Sequence, residues 1–279
     1  MTDFHETFRS AVPPWECDIV EHFTVAYYYE KFRAAGDRAL LGLGVLAKEA
    51  RTTSCYTRYK KELRAGDTYR IVSAPIRATG GDAGGGWGGG LTIGHKLIDM
   101  EADAVAATTE QTFALDSPVS LDGYADWDGE VREARPAVGA GATWVPAATD
   151  VVLPKDVDAA GRLTLDAMVH RFTAAGGHLL NAIGWTASHM RDNRVGYSTF
   201  EFQMTLGALP WVGVPLDTES TIGAIGRSSM RMVHRMIRAD TGDLVAELSQ
   251  FGVHLDMNAR RPSSIPTEIA EAARALGGE

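Results

Sequence analysis

Asp18 and His22 stand four residues apart in the stretch Val12-Pro13-Pro14-Trp15-Glu16-Cys17-Asp18-Ile19-Val20-Glu21-His22-Phe23-Thr24-Val25-Ala26-Tyr27-Tyr28. A positioned carboxylate can take a proton from water or attack a carbonyl carbon itself, and a nearby histidine can orient it or hold a substrate. Cys17 adjoins Asp18, so a thiol nucleophile with His22 as its base is a second scheme. An acid ahead of a helix is also a common partner for the helix dipole, and a single histidine is commonly structural. Spacing alone therefore leaves catalysis and structure both open.

The element that must position these residues follows at once. From Thr24 to about Leu43 the apolar residues Ala26, Tyr29, Phe32, Leu40 and Leu43 recur near the helical period. Thr24 is a candidate N-cap, and Gly42 and Gly44 supply a stop. Asp18 and His22 are thus expected on a turn ahead of a helix N-terminus. Backbone N–H groups and the positive end of the dipole gather there, and they favour a carboxylate or a developing oxyanion.

The pattern W-x-C-D-x-x-x-H-F-T-x-x-x-Y, followed by a helix with a Leu-Gly ending, resembles the signature of hotdog-fold acyl-CoA thioesterases of the 4-hydroxybenzoyl-CoA type. Their loop typically reads D-x-x-G-H-x-N-x-x-x-Y. Asp18, His22 and Tyr28 match, while Glu21 replaces the usual Gly and Thr24 the usual Asn. The resemblance implies a thioester hydrolase acting on an acyl-CoA. Asp18 would be base or nucleophile, with His22 and Thr24 beside it in the catalytic group and Tyr28 lining the substrate.

Composition narrows the alternatives. The apolar share of 45% is that of a globular protein, and a net charge of −9 argues against general nucleic-acid binding. No apolar run reaches the roughly 18 residues of a membrane helix, and the polar N-terminus is unlike a signal peptide. Cys17 and Cys55 form no metal spacing and no disulfide framework, which suggests a reducing cytosol. No G-x-S-x-G elbow and no H-E-x-x-H is present, so neither an α/β-hydrolase nor a zinc protease is indicated. No metal and no cofactor are expected.

After the helix come strand-like segments, near 52–63, 68–78, 90–100 and 105–115, an α+β pattern. Pro75 inside the second points to an edge or a bulge. The chain then repeats itself. Phe23-Thr24-Val25-Ala26 echoes Phe172-Thr173-Ala174-Ala175, Asp67-Thr68 echoes Asp217-Thr218, His95-Lys96-Leu97-Ile98 echoes His234-Arg235-Met236-Ile237, and Phe113-Ala114-Leu115-Asp116 echoes Val253-His254-Leu255-Asp256. The spacing of these blocks puts an insertion in the first copy at the glycine-rich run 80–90, which reads as a hairpin extension or mobile flap with Trp87 as anchor. Two such copies resemble the double-hotdog arrangement: unit 1–120, a Pro- and Gly-rich linker 121–162, and unit 163–279.

On this alignment Ala167 faces Asp18 and Arg171 faces His22, so the second copy lacks the acid. A one-residue gap would instead bring in Asp166 and His170. His178 on the second helix is a candidate to line the substrate site. The tail Asp256-Met257-Asn258-Ala259-Arg260-Arg261-Pro262 resembles the last strand of such thioesterases, and Arg260 and Arg261 are candidates for the phosphates of coenzyme A. The expected function is acyl-CoA thioester hydrolysis. A hotdog hydratase or dehydratase and an inactive acyl-CoA binder are the alternatives. A monomer and a homo-oligomer of double-hotdog units are both compatible with this reading.

Overall fold

The computed structural model describes residues 3–79, 89–117 and 119–277. The glycine-rich run expected to form a flap lies, from 80 to 88, outside the described residues. The chain divides into two units, residues 1–132 with 158–160 and residues 133–157 with 161–279.

The first unit consists of β1 (His5–Ala11), α1 (Val25–Gly42), β2 (Ala50–Tyr59), β3 (Thr68–Thr79), β4 (Gly90–Asp99) and β5 (Ala104–Leu115). The strands lie in the order β1-β3-β4-β5-β2, every neighbouring pair antiparallel. The long helix has a physical reason to sit on this sheet. Its residues Ala26, Tyr29, Phe32, Ala35, Gly36 and Leu40 are buried and share one face, and α1 packs on β1, β3 and β4. Gly36 lets the helix come close to β5, since a Cβ there would lie 2.8 Å from Gln111 Oε1 and 3.2 Å from the Phe113 ring. The register of β3 on β4 slips between Pro75 and Arg77, a bulge at the proline as the sequence suggests.

The second unit repeats the plan with β6 (Val145–Val151), α2 (Leu165–Ala182), α3 (Ala187–Asn193), β7 (Val195–Leu206), β8 (Pro215–Ile225), β9 (Ser229–Arg238), β10 (Leu244–Asp256), β11 (Arg261–Pro262) and α4 (Thr267–Ala275). The strand order is β6-β8-β9-β10-β7, with β11 on β10. Part of the stretch read from sequence as linker is therefore structured: β6 pairs with β8 as β1 pairs with β3.

Matching interior contacts occur in the two units. His95 Nδ1 meets Ser73 Oγ at 2.6 Å, and His234 Nδ1 meets Ser220 Oγ at 2.7 Å. Gln111 donates to Thr52 and Gln250 to Thr199, both at 2.8 Å. Burial depresses His95 to about 3 and His234 to about 4, so both imidazoles are neutral inside the protein at neutral pH.

These contacts correct the helix alignment. Phe32 of α1 corresponds to Phe172 of α2, each beneath its unit's buried histidine at 5.9 Å between ring centroids. The extra length of the first copy does fall between β3 and β4, and the second copy has its own addition, α3, between α2 and β7.

Candidate functional site

The loop ahead of α1 is held from both sides. Pro14–Glu16 make one 3-10 turn, in which Pro14 supplies a fixed φ and needs no N–H partner. Cys17 then bridges Phe23 in antiparallel fashion. The Asp18 N–H donates to His22 O at 2.9 Å, and the Thr24 N–H donates to Glu16 O at 2.8 Å. Between them the chain must reverse within a few residues, and Glu21 takes the left-handed conformation, φ 66. Lys31 of α1 reaches back to Glu16 at 3.0 Å, with both side chains 10% exposed.

Asp18 sits in this reversal. Its Oδ1 accepts the N–H of Val20 at 2.9 Å and of His22 at 3.1 Å. The residue itself is exposed, yet the protein packed around it raises the carboxyl above the usual carboxylate range, against the opposing pull of those N–H groups and of the His22 charge. A carboxylate that is held in place and more basic than usual is suited to accept a proton.

The first unit brings Asp18, His22 and Thr24 together on the loop ahead of α1. The His22 ring has a carboxylate partner, its Nε2 lying 2.9 Å from Glu62 Oε2, and the residue is 8% exposed. Glu62 is a residue that motif reasoning missed, because it follows β2 far along the chain and carries no local signature. Thr24 occupies the N-cap position, where its carbonyl accepts the Tyr27 N–H at 3.0 Å. Its side chain makes no capping bond, contrary to expectation. Tyr28 is 2% exposed and packs among Phe23, Phe32 and Tyr59 in the core of the unit. Cys17 does not fit the thiol scheme: burial and the neighbouring Asp18 carboxylate push its thiol up, away from the reactive thiolate.

The chain ahead of α2 has the same loop backbone. Pro154–Asp156 form the 3-10 turn, Val157 bridges Leu163, Gly161 takes φ 77, and Thr164 is the N-cap of α2. Asp158 thus corresponds to Asp18, Gly161 to Glu21, Arg162 to His22 and Thr164 to Thr24. The expected equivalents Ala167 and Arg171, and the gapped alternatives Asp166 and His170, all lie inside α2. Asp158 was therefore missed, although Asp158-x-x-Gly161 repeats the D-x-x-G of the family loop. Its Oδ1 accepts the Ala160 N–H at 2.8 Å, as Asp18 does from Val20. Here the threonine does cap: Thr164 Oγ1 accepts the Ala167 N–H at 3.4 Å and donates to Asp156 O at 3.1 Å.

The remaining candidates belong to the second unit. His178 is exposed on α2. Arg260 is half-buried at φ 51 in the turn after β10, and Arg261 is exposed on β11 opposite Asp256. Among the described residues no group of His, Cys, Asp and Glu is placed to hold a metal ion, and no helix is long and apolar enough to cross a membrane.

Residues 152–273 match the Thioesterase-like superfamily. Among solved structures the chain is similar to an acyl-ACP thioesterase from Bacteroides thetaiotaomicron, with a TM-score of 0.63 at 9% identity over 90% of this chain and 97% of the other. It is similar to the 12:0-ACP thioesterase from Umbellularia californica, with a TM-score of 0.61 at 11% identity over 92% and 94%. It also resembles a tesB protein of Mycobacterium avium subs paratuberculosis, with a TM-score of 0.51 at 11% identity over 91% and 95%. A search of curated proteins returns no match. At these identities the solved structures show a shared fold, the hotdog-like thioesterase fold with its large antiparallel sheet and few helices. With the family match over the second unit, that fold supports a thioester hydrolase.

Proposed function

We propose that the protein hydrolyses acyl-CoA thioesters to the free acid and coenzyme A, as a double hotdog with one hotdog in each unit, and that Asp18 is the catalytic carboxylate. The observation that carries this reading is the state of Asp18: fixed by two backbone N–H groups, raised in pKa, and placed just ahead of a helix whose N-cap threonine side chain makes no capping bond.

Asp18 takes a proton from water as the water oxygen bonds to the thioester carbonyl carbon. N–H groups in the first turn of α1, with the helix dipole behind them, hold the oxygen that becomes negative. The carbon–sulfur bond then breaks, and the proton returns from Asp18 to the departing thiolate. A positioned base contributes roughly 10²–10⁴ in rate, and each oxyanion donor about 10²–10³. His22, anchored by Glu62, holds the loop backbone whose N–H groups orient Asp18.

The experiment is release of free thiol from a panel of short, long and aromatic acyl-CoA esters, with Asp18→Asn alongside. Thiol release that disappears in the variant supports the reading. Full activity in Asp18→Asn removes Asp18 from the chemistry. Hydrated acyl-CoA in place of free thiol, or tight binding of every ester with no product, would replace hydrolysis by one of the two alternatives.

A further inference from the structure

The second unit contains a cleft of about 580 Å³ that the proposed chemistry does not use. It lies among the chain entering that unit (Arg135 to Ala142), the β8–β9 turn, Phe251 of β10 and the end of α4. Its size is that of a small-molecule site, typically about 300–1,000 Å³. Glycines 139, 141, 223, 226 and 277 contribute no side chains to fill it.

Arg231 of β9 lines this space. It is 5% exposed. Its guanidinium donates to the Gly223 carbonyl at 3.1 Å and makes no ion pair with a described residue. A buried guanidinium normally has a carboxylate partner, because an uncompensated charge away from water is costly. Glu201, fully buried, is held bidentately by Arg135, Nε to Oε1 and Nη2 to Oε2, both at 2.9 Å. Arg135 instead adds a second positive charge near Arg231. Burial and that repulsion depress the Arg231 guanidinium, and the carboxylate of Glu247 offsets them only in part. Arg274 brings a third guanidinium to the cleft. The backbone is shaped to the group as well, since a Cβ at Gly223 would lie 2.6 Å from Arg231 Cζ.

We propose that this cleft binds a small amphipathic oxyanion, a carboxylate or phosphate head on an apolar body, with Arg231 holding the head. Arg geometry suits either head through paired N–H donors. Pro136, Ala137, Met230 and Phe251 supply the apolar wall for the body. The proposal does not depend on which thioester the protein hydrolyses, or on Asp18.

Calorimetric titration of the full-length protein with octanoate, octyl phosphate and octanol tests it. These probes share a tail and differ in the head. One or both anions should bind one per chain, at least ten-fold more tightly than octanol, and the preferred head identifies the class of ligand. Arg231→Met, nearly the same length without the charge, should weaken the anion at least ten-fold while leaving Asp18-dependent thiol release unchanged. Arg274→Gln, an exposed position that does not endanger folding, should weaken it about three-fold and carries the test should Arg231→Met not fold. The proposal is overturned if neither anion binds the native protein, if octanol binds equally well, or if a folded variant binds as the native protein does.

Discussion

The loops ahead of α1 and α2 have one backbone and two sets of side chains. Both pair an Asp carboxylate with the N–H two residues on, both reverse through a left-handed residue, and both are tied to their helix by a buried ion pair. The first has His22 held by Glu62 and an N-cap Thr24 whose side chain makes no capping bond. The second has Arg162 in the histidine position and Thr164 capping α2. The Asp carboxylate, the left-handed residue and the ion pair are thus common to both loops, which differ at the histidine position and at the helix cap. A cap that satisfies the helix N–H groups internally also withdraws donors from any oxyanion.

The sharpest way to break that contrast is to remove each acid in turn. Asp18→Asn should lower kcat by roughly 10²–10⁴, the usual worth of a positioned base. Asp158→Asn should leave kcat within about three-fold of the native value, well short of a base's worth. Steady-state rates of thiol release decide it, and equal losses in the two variants would mean that both loops are catalytic. Asp18→Asn should also raise the melting temperature at neutral pH. The protein raises the Asp18 carboxyl, so the folded state is penalised for its charge above the unfolded value of 3.8, and a neutral amide escapes that penalty.

Next in size are the ion pairs that fix each loop to its helix. Lys31 binds Glu16, and Arg171 binds Asp156 at 2.8 Å, all four side chains at most 10% exposed. Removing one partner of such a pair strands the other, at a cost of about 3 kcal/mol or more. Lys31→Met and Arg171→Met should both destabilise by that order in urea unfolding. Arg171→Met should be the more severe, because Arg171 also donates to Asp150 and to the carbonyl of Ala167. A loss below about 1 kcal/mol in either, the scale of an exposed pair, would show that the turn holds itself.

Acid should weaken the pair between Arg171 and Asp156. Burial pushes the Asp156 carboxyl up, but the hydrogen bonds from Arg171 and the Leu153 N–H outweigh it and hold the group below its ordinary 3.8. A depressed carboxyl contributes stability that is fully present above the unfolded value and is lost as pH falls through the folded one. Asp156→Asn should therefore reduce stability at neutral pH and lessen its decline below about pH 4, as read from unfolding midpoints. A decline as steep as in the native protein would place the acid sensitivity elsewhere.

How far the sequence discloses all this depends on the kind of signal. The long helix, the strands that follow it, the bulge at Pro75 and the pairing of His95 with His234 were legible, because period and local residue type determine them. The repeat was legible, but the helix alignment was not. Phe23 and Phe172 each begin a Phe-Thr pair, yet Phe172 occupies the place of Phe32, under the second buried histidine. That misalignment hid Asp158. Glu62 and Arg231 gave no local sign at all, since the partner of one and the isolation of the other arise only when distant strands meet.

The smallest expected effect tests the shared backbone itself. Glu21 holds φ 66 where Gly161 holds φ 77, so the first loop bears strain that the second avoids. A side chain in the left-handed region costs roughly 1–2 kcal/mol relative to glycine. Glu21→Gly should therefore stabilise the protein by about 1 kcal/mol, part of the gain being offset by the greater freedom of glycine in the unfolded chain. Gly161→Glu should destabilise it by a similar amount. Reciprocal shifts in the urea midpoint would establish that the two loops are one backbone solution. If Glu21→Gly were neutral or destabilising, the Glu21 side chain would be contributing contacts that offset its strain. The first loop would then differ from the second in its framework as well as in its chemistry.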